Sequence, residues 1–209
     1  MTARGMLLSF SDPVAGMVPT LVPFQYNPSE VTRVLRVAPG ASGGSGLQVG
    51  APPTETYAFN LELDALDALD ALDKPVTGTL GVGPLLAAIE AMMEPGGGGL
   101  AALAGAVVSV LGGGGGAAPV PTPSLPLVIL AWSPERIAPV RIDSYSAHET
   151  GFDSALHPVQ ATVDLSVTVL RDRDLNPNQT LANVMATAYQ AVRTGLAVVG
   201  VAQGLELMT

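Results

Sequence analysis

The chain has 209 residues, 48% of them hydrophobic but only 4% aromatic, and it carries 24 glycines and 18 prolines, so a single core of Ala, Val and Leu shares the length with linker. Net charge is −9, with one lysine (Lys74) and eight arginines spread along the chain; affinity for phosphate needs a concentrated positive patch, which argues against nucleic acid as a partner. With no cysteine, disulfides, thiolate metal sites and cysteine nucleophiles are all excluded.

The opening MTARGMLLSFSDP lacks the apolar core of about seven to fifteen residues that a signal peptide needs, so cytoplasmic synthesis is expected. GMLLSFS and VPTLVPFQ read as strands. They are followed by YNPSE, where proline presets its own φ and pushes Asn27 out of the helical region to make a turn. SEVTRVLRV reads as a third strand. Residues 38–53, APGASGGSGLQVGAPP, bury too little to offset their ordering entropy and read as a flexible loop. Order resumes at Thr54: Tyr57, Phe59, Leu61 and Leu63 alternate with Ala58, Asn60, Glu62 and Asp64, the period of a half-buried strand.

Residues 82–93 have helical spacing at Leu85, Leu86, Ile89, Met92 and Met93 and stop at EPGGGG. Residues 100–126 are low-complexity Ala, Gly, Val and Pro and read as an insertion. The longest apolar run in the chain, 100–111, is well short of the roughly twenty residues that span a bilayer, and no membrane insertion is expected. Residues 126–170 read as three strands joined by short turns. In the last of these Val159, Ala161, Val163, Leu165, Val167 and Val169 share one face, while Gln160, Thr162, Asp164, Ser166 and Thr168 share the other. About eleven residues is long for a strand, where five or six is typical. After RDRDLNPN, residues 180–200 form the strongest helix, with Asn178 or Thr180 as cap and a stripe of Leu181, Val184, Met185, Ala188, Tyr189, Val192, Leu196 and Val199.

The expected fold is therefore mainly β with α, an α+β chain of six or so strands. Residues 1–175 form a β domain with flexible insertions at about 38–53 and 94–124, and residues 176–209 form a C-terminal helix.

Candidates for chemistry are weak. Residues 40–44 match G-x-S-x-G, but a nucleophile elbow needs a strand before Ser42 and a helix after it, and this serine lies in a Gly/Ser tract. His148 and Glu149 with Asp153 and His157 lack the helical spacing of a zinc site, and two histidines cannot make a three-histidine one; they read as polar turn residues. Asp64, Asp67, Asp70 and Asp73 form a DAL repeat of period three, without the alternating ligands and glycine of a calcium loop, and read as a solvated acidic helical turn. The glycine runs 96–99 and 112–116 lack the Lys-Ser/Thr of a phosphate loop and read as spacers. No catalytic residue, metal or cofactor is expected.

FQYNPSE (24–30), FNLELDAL (59–66), LVILAW (127–132) and Thr150, Phe152, Asp153, Pro158, Ala161 and Val163 in the last strand pair resemble, in this order, the tube-like domain of contractile injection system baseplate proteins. These belong to phage-tail-derived particles. The four pieces fall between residues 24 and 163. Two departures stand out: the chain lacks the LysM module that often follows this domain, and Ser133-Pro134 stands where a glycine is common after the tryptophan.

The resemblance implies a tail-tube-like β-barrel or sandwich in a non-enzymatic ring, usually sixfold, acting as adaptor between inner tube and spike hub, assembled in the cytoplasm and retained there or released with the particle. Its partners would be further copies of itself with tube, hub and baseplate proteins. Gln160, Thr162, Asp164, Ser166 and Thr168 would supply a lumen or ring wall, and Leu181, Val184, Tyr189 and Val192 a helical interface. On alternation alone the last strand is an ordinary sandwich strand with a solvated face. An inner tube or tube-initiator subunit is the alternative within the same particle; a β-domain hydrolase or carbohydrate-binding module is the alternative outside it.

Overall fold

The computed structural model describes residues 4–10, 20–37, 50–65, 80–95 and 125–206. Seven strands form one antiparallel sheet: β1 (Met6–Phe10), β2 (Thr20–Pro23), β3 (Val31–Arg36), β4 (Thr54–Asp64), β5 (Leu127–Ser133), β6 (Arg136–Phe152) and β7 (Pro158–Val169). Their spatial order is β2-β1-β5-β6-β7-β4-β3. Helix α1 (Gly83–Ala91) follows β4, and helix α2 (Thr180–Glu206) follows a 3₁₀ turn at Asp172–Asp174. The mainly β reading with an internal and a C-terminal helix therefore holds, with seven strands among the described residues where six or so were expected.

Alternation in β4 and β7 carries the core. Tyr57, Phe59, Leu61 and Leu63 lie opposite Val167, Leu165, Val163 and Ala161, and all eight are buried. The apolar run of β5 has another cause. Val128 and Leu130 join the main core, while Leu127 and Ile129 pack on the opposite face against Ala182 of α2, with Leu8, Phe10 and Met185 around them. A strand covered on both faces has no polar side to show, so its sequence is continuous rather than alternating.

The sheet is strongly curled. Strands β5 and β4 are three places apart, about 14 Å in a flat sheet, yet the rings of Trp132 and Phe59 lie 5.9 Å apart between centroids. Phe24, at the end of β2, is five places from β4, about 24 Å if flat, and its ring lies 5.8 Å from Phe59. Among the described residues the hydrogen-bond ladder nevertheless does not close: β2 and β3 are the two ends of the order and do not pair. Of the β-barrel or sandwich that the resemblance implies, the closed barrel is corrected to a curled open sheet. Its seam is bridged by a side chain. Gln25 Nε2 donates to the carbonyl of Asp64 at 2.8 Å, and its Oε1 accepts the Asp64 N–H at 2.7 Å. The carboxamide presents one donor and one acceptor side by side, as a strand backbone does, and so substitutes for a missing partner strand.

The long strand β6 changes face midway. Before Asp143 the residues it gives to the main core are Ala138, Val140 and Ile142; after it Tyr145 and Ala147 turn to that core. The register shift between Ile142 and Ser144 marks a bulge, and one extra residue inverts which side chains point inward. Asp143 is held there by Arg141, whose Nε donates at 3.0 Å, and by the hydroxyl of Thr168.

Helix α1 closes the inner face of the β6–β7 hairpin with Leu86 and Ile89. Its approach depends on Gly81, whose φ is +61° and where a Cβ would stand 2.0 Å from the carbonyl oxygen of Pro158, the oxygen that accepts the Val82 N–H at 2.9 Å. Left-handed backbone costs a non-glycine residue about 1–2 kcal/mol, and the collision with fixed backbone adds to it. Gly81→Ala is expected to cost at least about 2 kcal/mol in urea unfolding, whereas Gly83→Ala, whose Cβ meets nothing within 4 Å, gains or loses less than about 1 kcal/mol.

Candidate functional site: a buried carboxylate and an open polar face

One charged side chain lies at the heart of the described structure. Glu55 shares its parity with Tyr57, Phe59, Leu61 and Leu63, so β4 turns it inward, and it is fully buried. Four donors meet it. Tyr57 and Tyr189 each donate a hydroxyl to Oε1 at 2.9 Å, and the two hydroxyls lie 2.9 Å from each other. Arg33 Nε donates to Oε1 at 2.6 Å, and the guanidinium of Arg193 reaches Oε2. The arginines also lie over rings, Arg33 6.0 Å from the centroid of Tyr57 and Arg193 5.8 Å from that of Tyr189.

Placement follows from local periodicity. Arg33 is the β3 residue directly opposite Tyr57, and Tyr189 and Arg193 are one helical turn apart on α2. Burial by itself would raise the carboxyl of Glu55, and that is the largest single influence. The hydroxyls of Tyr189 and Tyr57 and the charges of Arg193 and Arg33 together outweigh it and hold the group below the ordinary carboxylate range. Burial and the neighbouring carboxylate push both tyrosines up.

The cluster is saturated and closed. Beside it Val31, Phe59, Leu130, Trp132 and Ala138 leave about 10 Å³, the room of one water at most. A general acid or base must reach the proton it transfers, and Glu55 has no such access. Its chemistry is that of a clasp fastening α2 to the inner edge of the sheet.

The polar residues expected on the last strand do lie together on the outer face. Thr162 sits between Glu62 of β4 and His148 of β6, Asp164 between Asn60 and Ser146, and Ser166 between Ala58 and Ser144. Gln160 Nε2 donates to Asp64 Oδ2 at 2.7 Å, and the Thr168 hydroxyl to Asp143. Three strands therefore present one broad face of hydroxyls, amides and carboxylates, with Arg141 at its margin opposite Thr168.

The helical residues divide. Leu181, Val184 and Val192 are exposed, as are Leu196 and Val199, whereas Tyr189 is 3% exposed and belongs to the Glu55 cluster. The face that packs is made of Ala182, Ala186 and Tyr189, and it lies beside the Leu/Val stripe read from the sequence. Small residues let the helix backbone approach the sheet, and spacing alone does not distinguish such a face from a bulkier one next to it. By length and composition residues Thr180–Gln203 would also suit a membrane span. The clasp and the two buried alanines commit the first half to the sheet, and residues 194–206 extend only about 20 Å, against the roughly 30 Å of a bilayer core.

His157 and Asp153 close the β6–β7 turn with Nδ1 3.0 Å from Oδ2, and Asp153 also accepts the N–H groups of His157 and Ala155. The His157 N–H is the main influence holding Asp153 below its ordinary value. His148 lies on β6 itself, opposite Thr162 on the polar face. Among the described residues no group of three or more potential ligands surrounds a cation site. Tyr145, under α1, is raised to about 12 by burial and then by the carboxylates of Glu90 and Glu149. The G-x-S-x-G at 40–44, Asp67, Asp70, Asp73 and the glycine runs at 96–99 and 112–116 lie outside the described residues.

Sequence reasoning passed over Glu55, Arg33, Arg193 and Gln25. The available signal was parity: Glu55 is a carboxylate in register with an aromatic face, a position that demands a buried cation. No protein-family model and no curated protein matches the sequence.

Proposed function

We propose that this chain is a non-enzymatic structural subunit of a phage-tail-like contractile injection particle, forming a ring, in the first instance a hexamer, as adaptor between inner tube and spike hub. The observation that carries the reading is the outer face of β4, β7 and β6: a wide antiparallel surface of neutral and acidic side chains on a sheet curled over a core of its own. A wall facing a shared lumen must be smooth, soluble and free of sticky apolar or basic patches, and this face has that character. The tail-tube-like type of fold belongs to the same reading. It rests on the sequence resemblance together with the curled sheet, the long β6–β7 hairpin and the helix packed on it.

The resting state of Glu55 fits a scaffold. A carboxylate with four internal donors does no work on a substrate but fixes the angle of α2, which carries exposed Leu181, Val184 and Val192 toward a neighbour. Negative-stain microscopy of the purified chain is expected to reveal rings or short stacked discs, and deletion of the gene to leave particles without a joined tube and spike. Long tubes in place of discs would reassign it to the tube itself. A strictly monomeric chain whose deletion leaves particle assembly intact would overturn the reading.

A further inference from the structure

Three stretches of strand edge have no partner strand among the described residues, and the outer edge of β2 is only four residues long and ends in Pro23, which leaves two. β5 pairs with β6 only as far as Val140, so from Arg141 to Phe152 that edge of β6 meets no described strand. β3 is the last strand of the order, and its outer edge is open from Val31 to Arg36. Free edges are ordinarily blunted by proline, lysine, bulges, inward-pointing charges or extreme shortness; the β6 bulge at Asp143 lies before residues 145–151, and the inward charge of β3 is Arg33. Neither stretch contains proline or lysine. The β6 stretch is held in place from beneath, because Tyr145 and Ala147 pack on the core that α1 closes.

The two edges match side by side. On β3 Arg33 and Leu35 lie opposite Tyr57 and Glu55 and so share the core side, with Val37 following in the same parity. On β6 beyond the bulge Tyr145, Ala147 and Glu149 lie opposite Leu165, Val163 and Ala161 and share the core side as well. Antiparallel pairing with Arg33 opposite Glu149 sets Leu35 on Ala147 and Val37 on Tyr145. On the outer side it sets Thr32 on Thr150 and Val34 on His148. Leu35 and Val37 are 45% and 58% exposed in the single chain, and this pairing gives them apolar cover. Slipping the register by one residue inverts every face; slipping by two sets Arg33 against Ala147 or Gly151 and loses the charge pair.

Charge agrees. Copies of a chain with net charge −9 repel one another, but β3 carries Arg33 and Arg36 and no acid, while residues 144–152 carry Glu149 and no lysine or arginine. We propose that β3 of one copy adds antiparallel to residues 145–151 of β6 in a second copy, Leu35 opposite Ala147 and Arg33 opposite Glu149. Such a contact joins two different surfaces, so it propagates from copy to copy and closes into a ring when the rotation allows. The proposal rests on the ring reading and names the surfaces that build the ring.

The absence of cysteine makes a clean test. Within one chain positions 35 and 147 lie three strands apart, and their rows on β4, at Glu55 and Leu61, are about 20 Å apart along the strand, beyond the reach of a disulfide. The double variant Leu35→Cys/Ala147→Cys, mildly oxidised, is expected to run as a ladder of covalent multimers on a non-reducing gel and to collapse to one band on reduction. The exposed pair Thr32→Cys/Thr150→Cys should do the same, and it keeps the test valid if the first variant folds poorly. Leu35→Cys/His148→Cys, with side chains on opposite faces, should give no ladder. If neither matched pair gives a ladder while light scattering finds the unsubstituted chain multimeric, edge pairing is wrong and the ring reading stands. If the unsubstituted chain is monomeric at every concentration, both are overturned.

Discussion

Replacing Glu55 by alanine is expected to lower the free energy of unfolding by about 3 kcal/mol at neutral pH. Breaking a buried ion pair by removing one partner costs about 3–5 kcal/mol, because the other charge is left without compensation. Here two guanidiniums and two hydroxyls lose their common acceptor. Arg33 and Arg193 retain side-chain exposures of 34% and 26%, so water screens part of the loss, and the lower end of the range applies. For a chain of this size that corresponds to a fall of roughly 6–12 °C in Tm. Glu55→Gln keeps an oxygen for the tyrosines and should cost about 1–3 kcal/mol. Acid gives an independent check. A carboxyl whose native pKa lies below its unfolded value contributes stability that is present above the unfolded value, near 4.3 for glutamate, and is lost as pH falls through the native one. Urea midpoints of the unsubstituted chain should therefore decline below that point, and Glu55→Gln should lack this part of the decline. An equal acid slope in both would mean that Glu55 is not the ionised centre of the cluster. Loss of the clasp should also free α2, seen as faster amide exchange beyond Tyr189 with β7 still protected.

What the sequence reveals of this fold depends on whether a signal is local. The alternation of β4 and β7 is local, since each inward side chain is simply two residues from the last, and both strands follow it from end to end. The polar face of Gln160, Thr162, Asp164, Ser166 and Thr168 follows from the same rule. The bulge at Asp143 is not local: RIDSYSAHE contains no Gly or Pro to announce it, and the switch of face is fixed by Arg141 and by Thr168 from another strand. Glu55 is legible as an anomaly on an apolar face, but its partners come from positions 33, 189 and 193, and only the topology brings them together. The α2 stripe misleads because Ala182 and Ala186 have little hydrophobic signal of their own. They matter because they are small: both are fully buried, and Ala182 packs on Leu127 and Ile129. Closure of the sheet has no local signal at all. Whether β2 meets β3 depends on accumulated curl, and here the curl stops short and leaves the seam to Gln25.

That seam makes Phe24 the second position of large effect. Phe24→Ala is expected to cost about 3–5 kcal/mol, the range for removing a buried phenylalanine. The ring is 1% exposed and touches both Phe59, at 5.8 Å between centroids, and Trp132, at 5.9 Å. Nothing nearby can collapse into the space readily. Gly5 faces the ring so closely that a Cβ there would lie 2.6 Å from it, and the Phe24 N–H is already committed to the Gly5 carbonyl at 2.9 Å. The next residue is Gln25, so loss of the ring also loosens the carboxamide that satisfies Asp64 across the seam. The two substitutions should couple: Gln25→Ala alone costs about 1–3 kcal/mol, and the double variant less than the sum, because once Phe24 is gone the bridge is already weakened. Amide exchange should then speed up at Asp64 and along β2 while the β6–β7 hairpin stays protected. Leu21→Ala on the same strand, where the side chain is 51% exposed, should change stability by no more than about 0.5 kcal/mol. If Phe24→Ala matched it, the aromatic trio would be incidental packing, and the curl of the sheet would have to be held by the β6–β7–β4 ladder alone.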